Sequence, residues 1–330
     1  MPKIKSLENK IFNINSHDNF NEIVLEIFHF QYENNTIYQQ FVNFLNINVS
    51  GITHYSQIPF LPIEFFKNHK VVSGEFKNEV IFSSSGTTGM QTSKHYLASL
   101  KLYEASFNKA FELFFGPITG YVILALLPSY LERSGSSLVY MADKLIGLSK
   151  NKQSGFYLND YQELHSTLLK LKAKNQKVML LGVTYALLDL AEQYPINFPE
   201  LIIMETGGMK GKRKELIRDE LHGTLKNAFG FANVYSEYGM TELLSQAYSV
   251  GEGIFNTPPW MKILIRDVND PISILPIGKT GGINIIDLAN IHSCSFIATQ
   301  DLGKTNEDHS FEILGRFDSS DVRGCNLMVV

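Results

Sequence analysis

Charge is scarce in this sequence. Only 19% of its 330 residues are Asp, Glu, Lys or Arg, and the formal net charge is -4. Nucleic-acid binding needs a basic surface to displace counterions from phosphates, so this balance argues against such a partner and for a small-molecule substrate. Cysteine is nearly absent, with Cys294 and Cys325 alone. Two thiols build no disulfide framework, and no Cys/His pattern reaches zinc-site spacing, which predicts free thiols in a reducing, cytoplasmic setting. Long apolar runs are missing too. The longest, residues 121–127, stops at Pro128, far below the roughly 20 residues that span a bilayer. The N-terminus carries lysines without the apolar stretch of a signal peptide, so no membrane span is expected.

Several catalytic signatures are also lacking. Gly278-Lys279-Thr280 and Gly303-Lys304-Thr305 have Ser273 and Ala298 where a Walker A loop needs glycine. There is no Gly-x-Ser-x-Gly elbow, no His-Glu-x-x-His helix and no Gly-x-Gly-x-x-Gly fingerprint after a strand.

What is present is apolar residue, 44% of the chain, enough for a large core. Residues 1–78 read as an N-terminal helical segment, with Ile23, Ile27, Phe28 and Phe30 at helical spacing. Over residues 79–250, short apolar runs such as YVILALL, KVMLLGV and ELIIME alternate with amphipathic segments at 161–174 and 212–227. That alternation predicts an α/β core, a mainly parallel sheet flanked by helices, and the loops below make it the candidate nucleotide-binding part. Residues 251–330 break into apolar runs separated by Gly, Pro, Asn and Asp, which predicts a smaller strand-rich subdomain within one compact domain overall. The basic cluster Lys210, Lys212, Arg213 and Lys214 reads as a solvated face or an anion attractor.

Five loops carry candidate chemistry. The run from Glu79 enters Ser84, Ser85, Gly86, Thr87, Thr88 and Gly89, with Lys94 beyond and a helix-like segment over 95–115. Glycine lets a backbone approach phosphate oxygens closely, hydroxyls add donors, and Lys94 is a candidate point charge; such loops are equally plain turns. In Tyr238-Gly239-Met-Thr241-Glu242, an aromatic suits a purine, a hydroxyl a phosphate and a carboxylate Mg²⁺. The same residues make a helix cap. Gly207 and Gly208 end an apolar run and form either a turn or a surface for a flat base. Asp301 and Arg316 suit ribose hydroxyls and phosphate, or two hairpin turns.

Together and in this order, the five elements resemble the adenylate-forming superfamily of acyl-CoA synthetases, peptide-synthetase adenylation domains and firefly luciferase. The likeness implies that residues 85–89 wrap the ATP phosphates and that residues 238–242 bind adenine, phosphate and Mg²⁺. It also implies that Gly207 and Gly208 lie beside adenine, and that Asp301 and Arg316 hold the ribose. Ser83 to Gly89, Ser93-Lys94-His95-Tyr96, Pro128 to Arg133, Ser136 to Met141 and Val322 to Leu327 further resemble the acyl-protein synthetases of bacterial bioluminescence. That branch implies acylation of Cys325 by a carboxylic acid of the fatty class and delivery to a fatty acyl reductase. Departures are Ser236 where many members carry Asn, no Pro-Lys after Gly89, and no assignable catalytic lysine, the C-terminal lid domain being absent or vestigial.

Thiolate attack on an acyl-adenylate yields a thioester and AMP. Arg323 and Arg316 are cations near Cys325 in sequence; by residue type alone, Cys325 is equally a small buried hydrophobe. Cys294, with His292 two residues away, is its rival, and its apolar neighbours favour a structural role. The expected activity is that of an ATP-dependent acid-thiol ligase. The alternatives are a ligase using coenzyme A as acceptor and a non-catalytic nucleotide-binding module.

Overall fold

The computed structural model describes residues 2–84, 91–127, 135–207, 213 and 216–316. They divide into two compact units, one from Met1–Glu75 with Pro259–Val330, the other Phe76–Pro258.

The first unit begins with helices α1 (Pro2–Ile11), α2 (His17–Asn34) and α3 (Thr36–Phe44), followed by a short strand β1 (Leu61–Pro62) and helix α4 (Phe65–Asn68). Ser16 caps α2 by accepting from the Asn19 amide at 3.1 Å, and Asn35 both ends α2 and caps α3. The buried stripe Phe20, Ile23, Val24, Ile27 and Phe28 of α2 recurs at helical spacing, so one face of the helix leaves water.

The second unit opens with a hairpin, β2 (Val80–Ser83) and β3 (Lys94–Leu97), then α5 (Leu100–Phe115), β4 (Val122–Leu126), α6 (Ser137–Ser149), β5 (Gly155–Tyr157) and α7 (Tyr161–Ala173). It continues with β6 (Val178–Val183), α8 (Thr184–Gln193), β7 (Ile202–Thr206), α9 (Arg218–Phe229), β8 (Tyr235–Tyr238), β9 (Ala247–Ser249) and β10 (Ile254–Asn256). Strands β5, β4, β6, β7 and β8 pair in parallel in that order, and β9 and β10 extend the sheet antiparallel. Every residue of β4 and β6 is buried, as strands covered on both faces must be. The mixed α/β class predicted from alternating runs is the one observed.

Residues 95–115 are not one helix. His95 and Leu97 are buried while Lys94 is exposed and Tyr96 only half-buried, a period of two, and all four pair back onto β2 before Ser99 starts α5. The amphipathic segment expected over 212–227 is helical from Arg218.

The first unit then resumes with β11 (Met261–Arg266), β12 (Gly281–Asp287), β13 (Phe296–Thr305) and β14 (Phe311–Arg316). These form an antiparallel meander in sequence order, with β1 parallel to β13. The N-terminal helices and the strand-rich segment thus share one unit. Gln31 of α2 is fully buried and donates to the carbonyls of Asn290 and Ile291 at 3.1 and 2.9 Å, while its Oε1 accepts from the Ser295 amide at 2.9 Å. Phe28, Tyr38, Phe60 and Phe296 pack ring against ring at 6.0–6.2 Å, so Phe60 belongs to this unit's core. Phe107 on α5 is likewise buried in the other unit, and Phe65 is half-buried. Among the described residues, no helix is long and apolar enough to cross a membrane.

Candidate active site

In the second unit the parallel strands β6, β7 and β8 end side by side, at Val183, Thr206 and Tyr238. The carboxyl edge of such a sheet is where ligands sit in open α/β folds. Gly207 follows β7 with φ +76°, a left-handed conformation that favours glycine. Gly239 follows β8, and a Cβ there would lie 2.4 Å from Glu237 Oε1, so the carboxylate occupies the space a side chain would need. Tyr238 is 8% exposed, its ring edge-on to Phe255 at 6.1 Å. Thr241 and Glu242 lie in the turn beyond, Thr241 half-buried and Glu242 buried at 5% exposure.

The hairpin β2–β3 frames the Ser/Gly/Thr loop. Its neck is closed by Ser84, whose amide donates to the Ser93 carbonyl at 3.1 Å and whose Oγ accepts from the Ser93 amide at 2.9 Å. Lys94 is exposed and follows immediately. His95, 1% exposed, makes a 2.8 Å hydrogen bond from Nδ1 to the Thr241 carbonyl. A carbonyl only accepts, so Nδ1 carries the proton. That bond holds the described flank of the loop, Ser84 and Lys94, to the turn that carries Thr241 and Glu242, across 146 residues of sequence. Ser106 of α5 bonds Ser245 at 3.0 Å, a second tie to the same segment. Ser85, Gly86, Thr87, Thr88, Gly89, Gly208 and Cys325 lie outside the described residues.

Between β6, β7 and β8 runs a network that composition does not single out. Thr184 donates to Glu205 at 3.0 Å, and Thr206 donates to Glu237. Both carboxyls are partly buried. Desolvation pushes Glu205 up and Glu237 up to about 7, the nearby Glu205 charge adding to the latter while the Thr206 bond opposes it. A carboxyl raised on folding contributes stability that is full below its unfolded value and is lost as pH rises through about 7. Glu237→Gln is therefore expected to unfold at higher temperature than the parent at pH 8, with the gap, up to about 3 kcal/mol, closing near pH 5. Thermal melts of both proteins across that range check it. The signal for these residues was an acidic side chain ending an apolar strand, as in ELIIME and VYSEY.

In the first unit Asp301 and Arg316 sit directly opposite each other on β13 and β14, with Arg316 Nε 3.8 Å from Asp301 Oδ1. Arg316 also donates to Gln300 Oε1 at 3.3 Å. They are strand residues rather than hairpin turns, and the register brings together two groups that are 15 positions apart in sequence. Cys294 is fully buried, its thiol donating to the Phe296 carbonyl at 3.3 Å. Burial pushes it up to about 12, which removes it as a thiolate nucleophile at neutral pH. His292 instead contacts Glu8 at 2.6 Å. Arg213, the described member of the basic cluster, forks onto Asp189 and Glu192. No group of three or more metal-ligating side chains occurs among the described residues. Glu242 is buried, and one carboxylate of this kind would suffice for Mg²⁺, which takes most of its ligands from phosphate oxygens and water.

No protein-family profile matches the sequence, and no curated protein does. Solved structures do match. ATP-bound MatB from Rhodopseudomonas palustris superposes with a TM-score of 0.56 at 19% identity over 74% of this chain and 49% of that one. The chain thus spans about half of MatB's length. 2-Hydroxyisobutyryl-CoA ligase in its postadenylation state with R3-HIB-AMP gives 0.64 at 12% identity, covering 94% of this chain and 70% of that one. Its open conformation with 2-HIB-AMP and CoA gives 0.64 at 12%, covering 92% and 71%. The chain thus shares its fold with ATP-bound MatB and with 2-hydroxyisobutyryl-CoA ligase.

Proposed function

We propose that the protein is an ATP-dependent acid-thiol ligase that activates a carboxylic acid as its acyl-adenylate. The observation that carries this reading is the His95–Thr241 bond, which ties the neck of the Ser/Gly/Thr loop to the 238–242 turn in a fold shared with enzymes solved with ATP and acyl-AMP. A substrate carboxylate oxygen bonds to the α-phosphorus of ATP, the α–β bridging bond breaks, and pyrophosphate leaves with the electron pair. Residues 85–89, Lys94 and Thr241 supply donors to the phosphoryl oxygens, where charge builds in the transition state. Tyr238, Gly207 and Gly208 border the adenine, and Asp301 and Arg316 serve the ribose. Glu242 would hold Mg²⁺, whose charge would offset that of the polyphosphate.

A deprotonated thiol then attacks the acyl carbon, and AMP departs with the electrons of the broken carbon–oxygen bond. Cys325 is the proposed thiol, since Cys294 is buried and held protonated. A long-chain fatty acid delivered to an acyl reductase is the accompanying proposal for substrate and partner. Coenzyme A as acceptor is a second reading, favoured by the ligase solved with CoA.

Intact-protein mass spectrometry after incubation with ATP, Mg²⁺ and a panel of carboxylic acids tests both. An acyl adduct that persists in Cys294→Ser and disappears in Cys325→Ser is the expected result. Acyl-CoA formation without an adduct selects the second reading. No acid-dependent pyrophosphate exchange with any acid overturns both.

A further inference from the structure

We propose that Arg266 is a positioning residue for the Asp301–Arg316 pair, acting through Thr299; this rests on the reading of that pair as the ribose contact. Arg266, at the end of β11, is a buried guanidinium at 7% exposure. It donates to the Ile283 carbonyl at 2.8 Å, to Asn284 Oδ1 at 2.9 Å and, two strands away, to the Thr299 carbonyl at 2.5 Å. Thr299 is itself 1% exposed, and its hydroxyl donates to the same Ile283 carbonyl at 2.9 Å. That hydroxyl oxygen accepts the Asp301 amide at 3.1 Å. An unbroken chain of bonds therefore runs from the guanidinium to the backbone of Asp301, whose side chain faces Arg316 across the ladder.

The surrounding strands leave room for it. A Cβ on Gly282 would lie 2.5 Å from Arg266 Cζ, so only glycine admits the guanidinium there. The β12–β13 register shifts between Gly282 and Asn284, opposite the β13 stretch from Ala298 to Leu302 that holds Thr299 and Asp301, and the β13–β14 register shifts just beyond it, between Leu302 and Gly303. Bulges of this kind re-aim side chains and twist the strand. Two irregularities, one at this stretch and one just beyond it, leave its direction to other bonds. A planar fork holding three acceptors is suited to fixing it, and an ammonium cannot reproduce that geometry.

The test is binding of ATP and of 2′,3′-dideoxy-ATP, measured by calorimetry on the parent, Arg266→Lys and Thr299→Val. The parent is expected to prefer ATP by about tenfold or more, the size of hydrogen bonds from hydroxyls to a charged group. Both variants are expected to bring the preference to within about threefold of unity, while affinity for the dideoxy nucleotide stays near that of the parent. A general loss of packing would weaken both nucleotides alike. Thr299→Val removes the hydroxyl that bridges the Ile283 carbonyl and the Asp301 amide, leaves the guanidinium in place, and carries the test if Arg266→Lys fails to fold. If the parent binds both nucleotides equally or binds neither, the ribose reading falls, and this inference with it. If the parent discriminates and both folded variants keep its ratio, only the inference about Arg266 is overturned.

Discussion

Replacing Glu242 by glutamine is expected to lower acid-dependent pyrophosphate exchange by roughly 10²- to 10³-fold, the range found when one preorganised electrostatic partner of a transition state is removed. The substitution is nearly isosteric at a site 5% exposed, so packing is preserved while a negative charge is lost. The Mg²⁺ concentration for half-maximal exchange should rise, because one carboxylate fewer faces the cation and the phosphates are left to hold it. The melting temperature should move little. Exchange at parental rate, with unchanged Mg²⁺ dependence, would show that Glu242 only completes the turn after β8.

The architecture of the second unit was readable because its signals are local. Strands covered on both faces must be continuously apolar, and β4 and β6 are; strand ends must turn, and glycine, serine and threonine stand there. Pattern alone did not reveal which separated segments meet. The N-terminal helices and the strands after Pro259 form one unit through side chains such as Gln31, whose amide looks like any surface polar group in sequence. The facing of Asp301 and Arg316 depends on the register of the β13–β14 ladder, which shifts between Leu302 and Gly303, and no periodicity reports such a shift. Glu205 and Glu237 were passed over for a different reason. A carboxylate in a strand reads as the solvent-facing half of an alternation, whereas these two are partly buried in the interior of the sheet and receive threonine hydroxyls. The misread helix start at residue 95 has the same root: four residues of strand are too short for period two to stand out beside sixteen of helix.

His95 offers the sharpest trial of the arrangement, because one bond joins two motifs that are far apart in the chain. In His95→Leu the Thr241 carbonyl loses its donor, and the leucine fills most of the vacated volume. A carbonyl stripped of its partner away from water costs about 1–3 kcal/mol, a fall of roughly 2–12 °C in melting temperature for a unit of this size. The functional loss should be larger than the stability loss. With the hairpin released from the turn, Ser84 and Lys94 are no longer held in a fixed geometry to the segment that carries Thr241 and Glu242, and a displacement of about 1 Å in a catalytic site is sufficient for a 10²-fold drop in rate. His95→Asn provides the control, since its amide nitrogen occupies nearly the position of Nδ1 and donates a proton in the same direction. The asparagine variant is expected to recover most of the exchange rate and of the ATP affinity. Equal damage in both variants would mean that the imidazole is valued for its packing, and that the loop and the turn are held together by other contacts.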